Sequence, residues 1–507
     1  MDPKTAVGVP QFLQMMGVAV FIFAAYAIWP VIQRKWYLAK FPSMNEYGTG
    51  EKYRQTYLSS AREIYEKGYT KFKNSCYALM NEQGIPTVVI PASLLPELRK
   101  LPEDVLSRRE AISQLMEIDH TRMDPGSPTP TNSVKADLTP ALARLNLTIC
   151  NEVDDGLKEL MPPCKDWTEV KIFDTLTLLI AKVSGRVFVG PEVCQDPEYI
   201  DTAANYTLEF MNAVHSVKAL RPWLKPYLGP RTPEVKKLRQ REKLAEKILR
   251  PLIEDRIHRK ANDPSWKEPD DLVQWMLNRR NEQESVKDLV QYQLTMIFAA
   301  IHTTTATATS ILYTLAVTPQ YIEPLREEIR SVLPADGAIT FRALQQMEKL
   351  DSYIKEVMRV SPAFLTSFVR YAKQGFTLST GAYIPAGVYI EAPAFSIYND
   401  AQFYASPENF DGFRSYRIRR ESGKAQDIAR NQSVTSNETN LNFGYGRHAC
   451  PGRFFAVNEI KMVMARVLLQ YNVKMPGGKM DMYSPVEWGT HSNPDASKTL
   501  LFRKVEV

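Results

Sequence analysis

The sequence predicts a mainly α-helical protein with a small β region, carried behind one N-terminal transmembrane helix. Three observations predict it. An uncharged apolar run lies near the N-terminus, apolar residues recur every three or four positions over most of the remaining chain, and strand-like segments are few, short and broken by glycine and proline. At 507 residues, length leaves open whether there are about three ordinary domains or one large enzyme core.

Composition narrows the class. With 44% hydrophobic and 24% charged residues the chain can bury a large core and does not resemble a disordered one. The formal charge is +6, with Lys and Arg scattered and no basic block, so no nucleic-acid binding is indicated. Cys76, Cys150, Cys164, Cys194 and Cys450 lie far apart without a CxxC, which argues against a zinc site or a disulfide framework. A sparse, odd set suggests a reducing compartment.

Val7 to Ile32 carries no charge and, at about 1.5 Å per helical residue, can cross a bilayer core of roughly 30 Å. Gln11, Gln14 and Pro10 weaken its start, leaving Met15 to Ile32 as the apolar core with Trp29 suited to an interface. A cleaved signal peptide is the alternative, but no small-residue cleavage site comes after the run. Arg34, Lys35 and Lys40 follow the span while Lys4, offset by Asp2, precedes it, so the body should face the cytosol. The sequons at Asn146 and Asn205 would then be chance matches.

Helical periodicity continues over Gly50 to Glu82, Pro102 to Met116, Thr139 to Leu160, Trp167 to Val183, Glu198 to Val217, Pro233 to Arg259 and Asp270 to Arg279. Asp124 to Ser133, rich in Pro, Ser and Thr, reads as a loop. A long helix is expected from about Glu284 to Val317, ended by Pro319, with an uncharged, buried middle from Phe298 to Ser310. Five threonines there are poor helix formers that need a reason. Phe341 to Val360 is helical up to Pro362, and strand signals follow in FVRYAK and GFTLSTGAYIPAGVYIEAPAF. Glu421 to Asn440 reads as surface loop.

Asn442 to Ala456, NFGYGRHACPGRFFA, opens a helical pattern that runs to Leu469. Gly444 and Gly446 let the backbone turn sharply and approach a flat ligand, and Gly452 removes a side chain where another surface must pack. Cys450, at the mouth of that helix with Arg447, His448 and Arg453 nearby, should have its thiolate favoured by the dipole and by positive charge. That makes it a candidate metal ligand or nucleophile, against the plainer possibility of a structural cysteine beside a turn.

The pattern Phe-Gly-x-Gly-x-x-x-Cys-x-Gly, matched by Phe443, Gly444, Gly446, Cys450 and Gly452, resembles the haem-binding loop of cytochromes P450. That resemblance implies haem b with Cys450 as axial thiolate, favouring O–O cleavage, and Phe443 packed near the sulfur. His448 would reach a haem propionate if protonated, and Arg370 would do the same. Glu356 and Arg359, three apart on one helix face, would join Arg414 of SPENFDGFR to brace the cysteine loop. The long helix resembles the family's oxygen-binding helix, with Thr303 relaying protons to dioxygen. His302 stands where the family has an acid, either relaying protons itself or filling space while solvent delivers them. A threonine can also bond back to the preceding turn.

By the same resemblance, substrate contacts map to Ile112 to Met123, Phe298 to Thr303, Ala363 to Val369 and the turn near His491. Phe298, Ala299, Phe364, Leu365 and Phe368 would make an apolar pocket. The resemblance implies an anchor and basic flank over 1–40 and a P450-like catalytic domain over 41–507. The protein would be single-pass in the endoplasmic reticulum membrane with a cytosolic catalytic domain. It implies a monooxygenase that inserts one atom of O2 into a lipophilic small molecule, with electrons from NADPH through NADPH-cytochrome P450 reductase docking near the cysteine side. The motifs look most like fungal microsomal members of secondary metabolism, acting on terpenoids, indole diterpenes and related compounds. A haem-thiolate isomerase or dehydratase would need no NADPH, and Thr303 argues against it. A non-enzymatic haem sensor would show no substrate-dependent NADPH consumption.

Overall fold

Helix formation follows the apolar spacing. The computed structural model describes residues 9–48, 50–124, 126–335 and 337–506. Its principal helices are α1 (Val9–Leu38), α2 (Gly50–Phe72), α3 (Arg108–Leu115), α4 (Thr139–Leu160), α5 (Ile172–Phe188), α6 (Pro197–Lys218), α7 (Pro233–Asn262), α8 (Leu272–Arg279), α9 (Val286–Val317), α10 (Glu348–Val360), α11 (Arg414–Ser422) and α12 (Arg453–Gln470). The predicted Thr139 to Leu160 helix is α4 to the residue, and α9 starts from a capping box in which Ser285 and Asp288 satisfy each other's backbone N–H groups.

Where periodicity misled, a strand or a cap took over. The first long pattern stops at Phe72 because Tyr77–Met80 (β1) pairs antiparallel with Pro86–Val89 (β2). Helix α3 starts late because Leu106–Ser107 (β3) joins the sheet and Ser107 then caps the helix. Thr168–Val170 (β4) precedes α5, and a break at Met347 separates Phe341–Gln346 from α10. Pro128–Ser133, capped by Ser127, and Ala425–Arg430 are helical within segments read as loops.

The remaining strands are Ser367–Ala372 (β5), Phe376–Thr377 (β6), Tyr383–Ile384 (β7), Tyr389–Ala392 (β8), Tyr471–Lys474 (β9), Val486–Trp488 (β10), His491–Asn493 (β11) and Leu500–Lys504 (β12). The largest sheet has the order β1-β2-β8-β5-β3, with β2 and β8 parallel. A three-stranded sheet, β4-β12-β9, and the hairpins β6-β7 and β10-β11 complete the β region. The main core joins α4, α5, α6, α7, α9 and α12, and α9 threads it with Ile297, Ile311, Leu312 and Leu315 fully buried. A second core lies under the sheet around Val88, Val388 and Ile390.

Leu13–Leu38 of α1 is long and apolar enough to cross a membrane, and Phe21, Phe23, Tyr26 and Trp29 point outward, away from any protein neighbour. Its last turns dock on the body: Arg34 donates to the Gly387 carbonyl at 3.1 Å and the Tyr37 ring lies 4.3 Å from that of Tyr383 in β7. Asp2, Lys4, Val7 and Gly8 lie outside the described residues. Asn146 is buried and bonded to the Ile339 carbonyl and to Asn458, out of reach of a glycosylating enzyme in the folded protein.

Glu459 of α12 is fully buried; one carboxyl oxygen accepts from Ser184 at 2.9 Å and the other has no partner. Burial pushes its pKa up to about 8, against the Ser184 hydrogen bond. An unfolded glutamate titrates near about 4.3, so the fold binds an extra proton between those values and loses stability as pH rises through them. Glu459→Gln should remove this slope, gaining on the order of a few kcal/mol over the native chain on going from pH 5 to pH 8.5. Urea midpoints at the two pH values measure it.

Candidate haem-thiolate site

Between Asn442 and Gly452 the chain turns on two left-handed glycines, Gly444 and Gly446, each at φ +73°. The turn is closed by backbone bonds from Gly444 to the Leu441 carbonyl (2.8 Å), from Ala449 to Gly446 (3.0 Å) and from Cys450 to Phe443 (2.7 Å). Phe443 is half-buried against the main core. A Cβ on Gly452 would meet no atom within 4 Å, so no protein surface packs there and a planar group has room.

Helix α12 begins at Arg453, leaving Cys450 just ahead of it, where the Gly452 and Arg453 N–H groups face the sulfur. Burial raises the thiol above its ordinary pKa. The Gly452 N–H and the Arg453 and Arg108 guanidiniums oppose it without prevailing. This corrects the expectation that dipole and neighbouring charge suffice to favour the thiolate. A further positive charge at the sulfur is needed, which a coordinated metal provides.

Two further guanidiniums lie on this side of the loop, the half-buried Arg108 in the field of Cys450 and the buried Arg370 in that of Arg108. Arg370 in β5 donates to the carbonyl of Val369 at 2.8 Å and lies over the Phe368 ring, and burial together with Arg108 pushes its pKa down to about 9. Arg108, at the start of α3, is lowered by burial, against the charges of Cys450 and Glu103. Among the described residues neither closes an ion pair with a carboxylate. The acid in their field, Glu103, lies 2.9 Å from Nε2 of His448. Burial and Arg370 push the His448 pKa down to about 4, so without a further anion beside it the ring is uncharged at neutral pH. Two cations that close no ion pair, one of them buried, suit an anionic ligand. No spacing rule connects Arg108 to residues so distant in sequence, so it carried no signal there.

Behind the loop, Glu356 takes a bidentate contact from Arg359 (2.7 and 3.0 Å) and a second from Arg414 (3.2 and 3.3 Å). Arg359 also donates to the carbonyls of Tyr398 (3.0 Å) and Pro407 (2.9 Å), and Arg414 to that of Ala405. The Tyr398 hydroxyl accepts from the Leu441 N–H at 3.0 Å, carrying the brace to the cysteine loop. Tyr398 had no sequence signal.

On α9, Ala299 and Thr303 are exposed while Ile301, Thr304 and Thr305 are buried, so one helical face is not covered by protein. The Thr303 hydroxyl donates to the Ala299 carbonyl at 2.7 Å, the bond back to the preceding turn, and retains lone pairs to accept. His302 turns toward α6, where Nε2–H donates to the Ala204 carbonyl at 2.8 Å; burial lowers its pKa. Phe298 packs against Phe210, and Phe364, 45% exposed, lies edge-on to His491. Leu365 and Phe368 do not join them. Leu365, next to Phe364 and so turned to the opposite side, is buried with Tyr53 and Tyr57 of α2, and Phe368, left-handed at φ +56° where the β5–β8 register shifts, is buried beside Tyr445.

A family model described as Cytochrome P450 matches residues 131–497. The chain is a cytochrome P450. It is similar to the cytochrome P450 monooxygenase TES1 of Alternaria alternata, 37% identical over 96% of this chain and 92% of the relative. It also resembles the cytochrome P450 monooxygenase ATR3 of Stachybotrys chlorohalonatus (35%, covering 83% and 89%). The ent-kaurene oxidase P450-4 of Gibberella fujikuroi is 34% identical, with 84% and 85% covered. As a P450 the protein is a monooxygenase that uses haem, and the free space at Gly452, the unpaired guanidiniums and the thiol whose burial outweighs its positive neighbours all fit that group.

Removing one member of the buried brace should leave an uncompensated charge and cost about 3–5 kcal/mol. Glu356→Ala and Arg359→Ala are expected to abolish haem retention, measured as haem per mole of purified protein, whereas Arg414→Lys should retain part of it.

Proposed function

We propose that this P450 is a single-pass protein of the endoplasmic reticulum membrane, residues 1–40 serving as anchor and flank and 41–507 as a cytosolic catalytic domain. It takes electrons from NADPH through NADPH-cytochrome P450 reductase and inserts one atom of O2 into a lipophilic secondary metabolite of terpenoid or indole diterpene type. The observation that carries the reading is the Cys450 thiol with the half-buried Arg108 in its field and the buried Arg370 in that of Arg108, two guanidiniums without an ion pair among the described residues, an arrangement suited to a dianionic macrocycle with a thiolate-bound metal. The basic flank Arg34, Lys35 and Lys40 supports the orientation. The apolar side chains of Phe298, Ala299 and Phe364 support a lipophilic substrate, and the ent-kaurene oxidase relative supports a terpenoid.

In this reading Cys450 holds the iron, Phe443, Gly444, Gly446 and Gly452 shape its loop, and Arg370 and Arg108 take the propionates. Bound haem supplies the iron at which dioxygen is activated. Thr303 relays a proton at Oγ1 by turning its O–H from the Ala299 carbonyl toward the acceptor while a lone pair takes a proton from solvent. His302 ties α9 to α6 and leaves proton supply to solvent, since its Nε2–H is committed to the Ala204 carbonyl.

The carbon monoxide difference spectrum of reduced membranes tests the centre: a strongly red-shifted Soret band is expected from the native chain and none from Cys450→Ser. A folded, haem-supplied native protein without that band overturns the reading. Extracts of a host with and without the chain then identify the substrate, and turnover without NADPH would instead indicate an isomerase or dehydratase. Thr303→Ala should lower product formation on the order of 100-fold while NADPH consumption continues, the difference emerging as hydrogen peroxide.

A further inference from the structure

Beside the cysteine loop, and sharing Gly446 and Arg453 with it, a cavity of about 520 Å³ is lined by Arg99, Lys100, Arg447 and Arg453. Gly446 and Ala449 form part of its wall; Cys450 does not line it. Among the described residues none of the four cations is ion-paired with a carboxylate. Arg447 donates to the Leu101 carbonyl at 2.7 Å, Arg453 to the carbonyls of Val434 (3.1 Å) and Cys450 (2.9 Å), and Arg99 lies over the Tyr445 ring. Glu438, the acid behind this wall, is occupied by the Tyr445 hydroxyl at 2.6 Å and by Arg430 at 3.4 Å. Ser436 also lines the cavity, and its buried hydroxyl has no partner.

Four cations around one concavity repel each other and focus a positive potential into it. A single carboxylate would balance one of them. A diphosphate carries enough charge and acceptor oxygens to engage several at once, guanidiniums in forked pairs and lysine as a point charge. The volume lies within the range of small-molecule sites, roughly 300–1,000 Å³. Phe454, more than a third exposed under the Arg453 guanidinium, gives the rim a flat apolar face for the rest of such a ligand.

We propose that this cavity binds a small diphosphate-bearing anion. Inorganic pyrophosphate titrated into the haem-loaded full-length protein in detergent should give saturable one-to-one calorimetric binding, with Kd below about 1 mM. Loss of two charge-assisted contacts in the double variant Arg99→Gln, Lys100→Gln should weaken it roughly tenfold or more, with the carbon monoxide band unchanged as the check on folding. Orthophosphate should bind more weakly. Tighter binding of ADP than of pyrophosphate would point to a nucleotide as the source, and equal affinity to any diphosphate ester; either supports the site. Heat that merely tracks ionic strength overturns it, as does unchanged affinity in the double variant. So does binding of a glutamate-rich peptide without binding of pyrophosphate, which would make the cavity a protein-docking face. None of these results depends on the monooxygenase reading.

Discussion

Glu356 holds two guanidiniums in a place almost without water, and the position of the cysteine loop follows from that arrangement. Arg359 spends its fork on the carboxylate and its remaining N–H group on two backbone carbonyls, one of them Tyr398; the Tyr398 hydroxyl fixes Leu441, whose carbonyl takes the N–H of Gly444 and the hydroxyl of Ser367. Each link satisfies a group that burial would otherwise leave unpaired. The glycines permit the loop's shape, and the brace selects where that shape is held.

Charge near the loop is arranged in the opposite sense. Both guanidiniums of the Glu356 group touch its carboxylate, whereas Arg108 and Arg370 close no ion pair among the described residues, the carboxylate in their field, Glu103, being engaged by His448, and burial holds the Cys450 thiol above its ordinary pKa. The protein bears the cost of desolvating these groups in advance, and a ligand with a positive centre and anionic arms offsets it. A ligand that binds the folded chain and not the unfolded one couples binding to folding, and haem stabilises the native state in that sense.

The parts of the site legible in the sequence are those where chemistry requires residues close together in the chain. The cysteine loop, the Glu356 and Arg359 pair on one helical face and the open face of α9 all have local spacing, and the structure keeps them in those elements. Arg108 and Tyr398 act through folding that no local pattern encodes. Leu365 and Phe368 lie in two different cores, the first by extended-chain alternation and the second by the positive φ and register shift at Phe368, neither of which a regional resemblance encodes. Strands β1 and β2 were lost to the same ambiguity, since a short apolar run fits either period and the parallel partner of β2 lies far down the chain in β8.

The docking of the last turns of α1 on the body has a geometric consequence. Arg34 and Tyr37 grip the β6-β7 side of the small sheet, so the apolar helix and the catalytic body share one orientation instead of being joined by a slack tether. With α1 in a bilayer, the body's tilt is set by where the apolar length of that helix begins and ends. The same face of the enzyme then meets the membrane in every encounter, and meeting another membrane-held protein becomes a search within a plane among a narrow set of orientations.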